Sequence, residues 1–537
     1  IGWCDWSSDV CSSDLAPCTT MNVPALRSAG RGRRLVSMDG DLQELRRKLG
    51  EVSDVHNAIA LLQWDQETCM PPKGAEARSW QLATLSALEH RLFTAERLGN
   101  LLRELHARAD ALEAADAALV EVALYDYDRA TKLPEDFVHT FAQEQSQALA
   151  VWVDAHETSD FQRFRPNLER LLALARQKAE YLGYTESPYD ALLGEYERGM
   201  TTAEVKRLFA GLAAEQSRLV ERIVAAGQPA LPWLAGDWDE SAQWAFSLRV
   251  LEDMGYDFEA GRQDPSIHPF SIYFDTCDVR VTTRATREAL FSCLMSSIHE
   301  GGHALYMQGH AEDDRRTLLC DAPSLGMHES QSRMWENVIG RSLPFWRHYL
   351  PVMRGFFPGR LDTVAPEDVY AAVNLAKPSL IRVEADECTY NLHIIIRFEL
   401  EVALIEGDLD VDGIPAAWNA KVRQYLGLDV PDDAHGCLQD IHWAHGAFGY
   451  FPTYALGNLY AAQLFNAMRQ QIPDLWGSVE RGDFGPLLSW LRANVHVHGR
   501  RKLARQLLHD ITGAELSPEP YIAYLNDKFG ALYGLGT

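Results

Sequence analysis

The chain has 537 residues, of which 47% are hydrophobic and 23% are charged, and its formal net charge is -26. A surface this acidic repels phosphate backbones and anionic lipids, so we expect neither a nucleic acid nor a membrane as a partner. The composition is typical of a globular protein, and no run of about 18 uninterrupted apolar residues is available to span a bilayer.

The first segment does not read as part of a folded protein. Residues 5–15 (DWSSDVCSSDL) resemble the translation of a sequencing-adapter read, and the residues after them are rich in arginine and poor in acid. Helical patterning begins directly after Met38. We therefore expect residues 1–37 to be a non-native leader, Met38 to be the natural start, and residues 38–535 to form a single folded domain.

From residue 39 onward, apolar residues recur at spacings of three and four, which predicts a predominantly all-α chain. Pro71-Pro72 and Leu133-Pro134 predict the ends of two helices, because proline cannot continue a helical hydrogen-bond ladder. Thr201 with an acidic residue three positions later predicts a capped helix start. Six cysteines beyond residue 38 are scattered without CxxC pairs, which favours a reducing, cytoplasmic setting.

The pattern changes between residues 268 and 283 (HPFSIYFDTCDVRVTT), where β-branched and aromatic residues accumulate. Val279 and Val281 alternate with polar residues, and 275–277 has the composition of a turn. We expect two short strands there. An exposed strand edge suits a peptide ligand, because an extended peptide can pair with free backbone groups; a purely structural hairpin is the alternative.

Directly after this segment, residues 285–306 predict a helix that carries His299-Glu300-Gly301-Gly302-His303. Residues four apart share a helix face, so both imidazoles can reach one metal ion, with Glu300 beside them as a base. This HExxH pattern is typical of zinc peptidases. Hydrolytic zinc sites need three protein ligands and an open position, so a third ligand must come from elsewhere.

The spacing alone does not select that ligand. An irregular stretch follows the motif up to residue 327, and helical patterning resumes at His328. Glu329 lies 26 residues beyond His303, far enough for the chain to fold back. Glu329, Glu336, His328 and several other residues compete on these grounds.

Six short motifs, taken together and in order, resemble those of the carboxypeptidase Taq family of metallocarboxypeptidases. The resemblance covers roughly residues 39–535, and segments around Trp64 and Tyr450 also look like this family. The motifs are HPF at 268–270, DxRxT at 278–282, HExxH at 299–303, HESQ at 328–331, RxxAD at 382–386 and GxxQDxHW at 436–443.

The resemblance implies that Glu329 is the third metal ligand and that Glu300 is the general base. It also implies a predominantly all-α, deep-groove, zincin-type fold with a small β-sheet beside the active site, and a homodimer. In this single catalytic domain we expect helices at about 38–200 to line the groove and a metal core at about 265–460. The implied activity is release of single C-terminal residues from peptides, with broad specificity and proline disfavoured. One Zn²⁺ per chain is the expected cofactor, with Co²⁺ as an alternative.

Further residues are candidates for substrate chemistry. Tyr450, Tyr454 and His442 are candidate donors to the developing oxyanion, with aromatic packing as the alternative. His268 is a candidate substrate-pocket residue or part of a turn.

A carboxypeptidase must also bind a free carboxylate, and the guanidinium fork suits this. Arg382 is our first choice and Arg280 the second. The alternative for Arg382 is an ion pair with Glu384 or Asp386. Asp440 and Gln439 are candidate partners that orient the metal-binding histidines.

Two other functions remain open on the sequence. A zinc oligopeptidase or aminopeptidase would use the same metal core but anchor the other end of the substrate. A helical binding scaffold would hold a metal without turnover, although it would have no use for the base Glu300.

Overall fold

The computed structural model describes residues 38–535, so the leader expected at residues 1–37 lies outside the described residues. The predominantly helical fold expected from the sequence is confirmed, with a single small sheet among these residues. No helix in this range combines the length and apolar character that crossing a bilayer requires.

The first half of the described chain is helical up to the sheet. The predicted breaks agree with the structure, since one helix ends at Thr68 before Pro71-Pro72 and another at Lys132 before Leu133-Pro134. Thr201 forms the expected capping box with Glu204. The helices are α1 (Met38–Thr68), α2 (Ala75–Phe93), α3 (Glu96–His106), α4 (Ala114–Lys132), α5 (Glu135–Thr158), α6 (Phe161–Leu182), α7 (Pro188–Leu193), α8 (Thr202–Ala226) and α9 (Glu240–Met254).

The sheet has three strands, β1 (Gly261–Pro265), β2 (Ser271–Asp275) and β3 (Asp278–Thr283), in the order β1-β3-β2. The predicted hairpin corresponds to β2 and β3, which pair antiparallel. The prediction of two strands was incomplete, because β1 pairs in parallel with β3. Its sequence, GRQDP, contains no β-branched or aromatic residue that could have signalled a strand.

The second half of the chain is again helical. The π-helical segment Met334–Gly340 continues directly from α11. The helices are α10 (Ser292–Gln308), α11 (Leu325–Arg333), α12 (Leu343–Phe356), α13 (Pro366–Val373), α14 (Tyr390–Glu406), α15 (Ile414–Leu426), α16 (Pro452–Gln471), α17 (Leu475–Glu480), α18 (Gly485–Asn494), α19 (Ala504–Thr512) and α20 (Glu519–Tyr533).

Two boundaries near the metal-binding motif differ from the prediction. Helix α10 begins at Ser292 rather than at residue 285, because the carbonyls of Thr286 and Arg287 accept hydrogen bonds from Gln243 and from the backbone of Trp238. Helix α11 begins at Leu325 rather than at His328, because Ser324 caps it by accepting from the Met327 backbone N–H.

The buried apolar residues form one large core and two smaller clusters. The large core extends from α5 to α20 and surrounds α10, α11 and α16. A second cluster joins α1, α3 and α4. The third is small: Ala60 and Trp64 of α1 pack on Ile272 of β2. The N-terminal helix is thereby attached to the sheet that precedes the metal-binding helix.

Candidate metal centre

His299 and His303 lie on one face of α10, as their spacing predicts, with ring centroids 5.0 Å apart. His303 is buried, and the side chain of His299 keeps some exposure. Glu300, between them in sequence, is also buried. Two imidazoles and a carboxylate therefore converge at one position on the helix.

Glycines allow α11 to approach these histidines closely. A Cβ at Gly302 would lie 2.7 Å from Cα of Ser332, so the backbones of α10 and α11 are almost in contact. On the other side, a Cβ at Gly457 of α16 would lie 2.6 Å from Cγ of Glu329. Helix α11 is held between α10 and α16 at the turn that carries Glu329.

The donor atoms of His299, His303 and Glu329 all lie within 4.8 Å of one another. Oε2 of Glu329 is 3.3 Å from Nε2 of His303 and 3.7 Å from Nε2 of His299. Ligands held about 2.0–2.1 Å from a tetrahedral zinc ion are separated by roughly 3.4 Å. The three donors therefore fit one divalent metal ion.

The second oxygen of Glu329 is bound by an arginine. Nε of Arg333 donates to Oε1 of Glu329 at 2.7 Å, and this guanidinium lies over the Tyr390 ring. Burial alone would raise the pKa of Glu329, but Arg333 and the two histidines hold it well below its usual range. The carboxylate is therefore fixed in place as an anion, the form that binds metal.

The Nδ1 atoms of the two histidines have different partners. Nδ1 of His299 lies 2.9 Å from Oε2 of Glu336, and Nδ1 of His303 lies 2.5 Å from Nδ1 of His328. Partners of this kind fix the ring orientation and leave Nε2 for the metal. Glu336 and His328, which competed as ligands on spacing, thus lie behind the histidines.

The expected partners Asp440 and Gln439 were the wrong residues for this role. Asp440 instead accepts from Arg382 at 2.8 Å and from Arg397, and Gln439 accepts from both arginines. Their sequence motif gave no information on which buried group they would meet.

Glu300 has a buried carboxylate without a fixed partner. Within residues 38–535 no cation pairs with it and no group donates a hydrogen bond to it. This distinguishes it from Glu329 and Glu336, whose oxygens are bound by arginines. No side chain of the described residues holds its oxygens in place.

The three candidate oxyanion donors lie together. Tyr450 and Tyr454 have ring centroids 5.3 Å apart, and the hydroxyl of Tyr454 lies 3.2 Å from Nε2 of His442. Burial raises the pKa of both phenols, so they keep their protons at neutral pH. Burial and the nearby Arg382 lower the pKa of His442 to about 3, so this imidazole is neutral.

Arg382 is buried beside the same tyrosines. Its guanidinium carbon lies 5.1 Å from the Tyr454 ring centroid. Its ion-pair partner is Asp440, not the Glu384 or Asp386 considered from the sequence. Because Arg397 shares that carboxylate, two guanidinium groups pair with one anion, and no second carboxylate among residues 38–535 forms an ion pair with either of them.

Arg280 belongs to β3, and His268 lies just outside the sheet. Arg280 makes a bidentate ion pair with Asp278, and its guanidinium stacks 4.5 Å from the Trp64 ring centroid. These contacts attach α1 to β3. His268 is exposed in the connection between β1 and β2, and its carbonyl accepts from Ser266.

A cavity of about 590 Å³ opens next to the metal-binding residues. The edge strand β2 lines it with Ser271, Ile272 and Tyr273, and His328 and Tyr450 line it from the metal-binding side. Apolar side chains from the N-terminal helices, including Phe137 and Phe141 of α5, complete the wall. A strand edge thus borders a largely apolar space beside the histidines.

Sequence reasoning missed the roles of Glu336 and Arg333. Arg333 follows Glu329 by four residues and Glu336 follows it by seven, so a regular helix places both positions on the face that carries Glu329. The π-helical segment brings Glu336 to His299, and segments of this kind occur frequently at functional sites. The sequence contains no recognisable signal for this irregularity.

Comparison with known proteins shows similarity over almost the whole described chain. Residues 44–529 match the family model described as carboxypeptidase Taq (M32) metallopeptidase. The chain is 43% identical over 487 residues to thermostable carboxypeptidase 1 of Thermus thermophilus, covering 88% of this chain and 95% of that protein. It is 40% identical over 486 residues to carboxypeptidase 1 of Bacillus subtilis, covering 90% and 97%.

Solved structures agree with the sequence comparisons. An M32 carboxypeptidase from Deinococcus radiodurans is 41% identical with a TM-score of 0.90, covering 92% of this chain and 100% of that one. Metallocarboxypeptidase 1 of Trypanosoma cruzi is 32% identical with a TM-score of 0.88, again covering 92% and 100%. The resemblance inferred from six short motifs is confirmed.

Proposed function

The chain belongs to the carboxypeptidase Taq (M32) family of metallopeptidases, and on this premise we propose that it releases single residues from peptide C-termini with Glu300 as general base. The observation that carries the proposal is the triangle of donor atoms from His299, His303 and Glu329, which matches the ligand separations of a divalent metal. His299, His303 and Glu329 are its proposed ligands.

A divalent metal bound there supplies a Lewis acid and lowers the pKa of a bound water toward about 7. Glu300, adjacent to His299 and without an ion-pair partner in the described chain, accepts the proton of the attacking water. It then delivers that proton to the leaving amine. A base held in place by Arg333, as Glu329 is, could not exchange protons in this way.

Tyr450 and Tyr454 are the proposed donors to the oxyanion that develops on the scissile carbonyl. Both phenols stay protonated, and both lie close enough to Glu329 for its charge to affect their pKa. Donors fixed by packing before the reaction cost no reorganisation in the transition state. The neutral imidazole of His442 orients Tyr454 through the 3.2 Å contact with its hydroxyl.

Arg382 is the proposed recognition group for the substrate carboxylate. Arg382 shares the carboxylate of Asp440 with Arg397 and lies beside Tyr454. A substrate carboxylate bound there would neutralise the second positive charge of the pair. A buried ion pair of this kind discriminates strongly against an uncharged end. Arg280, already engaged by Asp278 and Trp64, is the weaker candidate.

The upstream part of the peptide is proposed to lie in the cavity along β2. Strand β2 is one edge of the sheet, and three of its residues line that cavity. An extended peptide could pair there as an added strand, with its side chains against the apolar wall. His268, in the connection that precedes β2, is a candidate contact for the peptide as it enters the cavity.

The remaining features of the proposal concern the setting of the enzyme. Zn²⁺ is the proposed metal, one per chain, with Co²⁺ able to replace it, since two histidines and a carboxylate accept either. The six cysteines between residues 38 and 535 are free thiols, which supports a cytoplasmic location. A homodimer and a broad specificity that disfavours proline are proposed from family membership.

The activity is tested by digesting a mixed peptide pool and following the products by mass spectrometry. We expect ladders shortened from the C-terminus, loss of activity with a chelator, and recovery with Zn²⁺ or Co²⁺. Peptides amidated at the C-terminus should resist digestion. Ladders shortened from the N-terminus, or internal cleavage of amidated peptides, would instead identify an aminopeptidase or an oligopeptidase.

The role of Glu300 is tested by Glu300→Gln, which preserves size and removes the base. We expect kcat to fall by about 10²–10⁴-fold while the metal content stays at one ion per chain. Metal content is measured by inductively coupled plasma mass spectrometry. Unchanged turnover in a metal-loaded variant would exclude Glu300 as the base. Absence of turnover in both the metal-loaded wild type and the variant, with every peptide tried, would favour the scaffold alternative.

A further inference from the structure

The two metal-binding imidazoles differ in what lies behind them. The partner of His299 is Glu336, an anion that Arg341 also binds at 2.7 Å. The partner of His303 is another imidazole, His328. Only one of these partners reaches the substrate side, because His328 lines the 590 Å³ cavity and Glu336 does not.

The hydrogen positions at the His303–His328 contact follow from the ligand geometry. Nε2 of His303 points to Oε2 of Glu329, at 3.3 Å. When Nε2 is a metal donor in a neutral imidazole, the ring proton must be on Nδ1. That Nδ1–H then donates to Nδ1 of His328, 2.5 Å away. The proton of the His328 ring is thereby placed on its Nε2.

Nε2 of His328 is the nitrogen left for the cavity. Nδ1 is occupied by His303, and among residues 38–535 no group forms a hydrogen bond with Nε2. The ring cannot easily turn away, because it packs 4.5 Å from the His303 ring and 5.5 Å from the ring of Tyr306. A fixed N–H donor at the wall of a peptide cavity is suited to a backbone carbonyl.

We propose that His328 is a second anchor for the substrate backbone, oriented by the metal ligand behind it. Nδ1 of His328 accepts from His303 and holds that ligand in its binding orientation, while Nε2–H donates to a carbonyl oxygen of the bound peptide. Within the proposed function, which this inference deepens, the donor acts on the substrate chain upstream of the C-terminal residue.

Two substitutions of His328 distinguish the roles of its two ring nitrogens. His328→Asn keeps a polar atom near the position of Nδ1 and removes the group at Nε2. His328→Gln reaches the position of Nε2 and loses the group at Nδ1. Glu336→Gln is the matched control, because it disturbs the other metal-binding histidine without touching the cavity. Thermal unfolding of each protein establishes that it is folded.

We expect His328→Asn to bind zinc within about threefold of the wild type and to raise KM by about 10–100-fold with kcat little changed. His328→Gln and Glu336→Gln should weaken zinc affinity by about 10–100-fold, with KM near the wild-type value at saturating zinc. Zinc affinity is measured by competition with a chromogenic chelator, and KM with a free-acid peptide.

An unchanged KM in His328→Asn would overturn the contact with substrate, and zinc loss as severe in His328→Asn as in His328→Gln would overturn the division between the nitrogens. The zinc titration needs no substrate. An absence of peptide cleavage by the wild-type protein would therefore contradict the proposed function, while leaving the link between His328 and His303 separately testable.

Discussion

Arg382 and Arg397 share the carboxylate of Asp440, and all three side chains are more than nine-tenths buried. Burial would raise the pKa of Asp440, yet the two guanidinium groups hold it well below its usual range. A buried positive charge in excess of its partner is costly unless an anion compensates it. At the residue scale, this imbalance is the strongest argument that a substrate carboxylate binds here.

Arg382→Lys tests this argument because lysine keeps the charge and loses the bidentate fork. We expect KM for free-acid peptides to rise by about 10–100-fold, with a weaker preference for free acids over amides. Arg397→Lys is the control, since Arg397 also binds Asp440 but is fully buried. If both variants keep the wild-type preference in steady-state assays, Arg382 does not bind the carboxylate.

At the scale of elements, the metal site depends on how closely three helices approach. Helix α11 presents Glu329 from a narrow space between α10 and α16, and that space exists because Gly302 and Gly457 carry no side chain. Glycine inside a helix normally costs about 1 kcal/mol relative to alanine. Glycine at these two positions therefore lowers the intrinsic stability of α10 and α16, but it allows α11 to approach closely enough to place Glu329 at the histidines.

Gly457→Ala should displace Glu329, because the new methyl group would lie 2.6 Å from its Cγ. We expect zinc affinity to fall by about 10-fold or more and unfolding free energy to fall by about 1–3 kcal/mol. Gly211→Ala in α8 is the control, since its nearest neighbour is a Pro518 atom at 3.6 Å. That variant should gain up to about 1 kcal/mol and bind zinc normally. Equal zinc binding by both would contradict the packing argument.

The contact between α1 and the sheet can be tested by substituting Trp64. Trp64 is buried against Ile272 and stacks with Arg280, whereas Trp80 of α2 is 62% exposed. Trp64→Ala should cost about 3–5 kcal/mol and increase hydrogen exchange in α1 and β2. Trp80→Ala should change stability by less than about 0.5 kcal/mol. Similar exchange in the two variants would mean that Trp64 does not anchor the helix.

For the whole molecule, pH dependence follows from buried carboxyl groups that are not proposed metal ligands. Burial raises the pKa of Glu197 to about 8 and that of Glu401 to about 7. Glu401 accepts from Tyr189, Trp443 and the Gly449 backbone, just before the turn that carries Tyr450. Ionising either carboxyl group costs more free energy in the folded protein than in the unfolded chain. The folded state is therefore more stable at pH values where both groups are protonated.

A raised native pKa means that the folded state binds more protons than the unfolded state. This stability is fully present below the unfolded value of about 4.5 and is lost as the pH rises through about 7–8. Asp440, with its lowered pKa, has the opposite effect and loses its contribution in strong acid. We therefore expect maximal thermal stability at mildly acidic pH, about 5–6.

Glu197→Gln isolates the alkaline part of this dependence, since glutamine keeps the oxygen that accepts from the Gly326 backbone. Relative to the wild type, the variant should gain about 3–5 kcal/mol between pH 5 and pH 9. The measurement is chemical denaturation across that range. If the stabilities of the two proteins change with pH in the same way, the pKa of Glu197 does not differ between the folded and unfolded states.

The sequence by itself determined the class of fold, the positions of several helix ends and the motifs that identify the family. Helical spacing predicted the class of fold, and the four-residue spacing of His299 and His303 placed both on one face of a helix, because each depends only on local backbone geometry. Strand β1 was not predicted, because it is stabilised by pairing with β3 and its own residues carry no strand signal. Six motifs in order were specific enough to identify the family.

Only the tertiary structure decided which distant groups meet. It brought Glu329 to the two histidines and put Glu336 and His328 behind them, and it gave Arg382 an unforeseen partner in Asp440. Contacts between residues far apart in the chain depend on how helices pack, and here on two glycines and one π-helical turn. The spacing of residues within one helix does not predict these contacts, because they form between different helices.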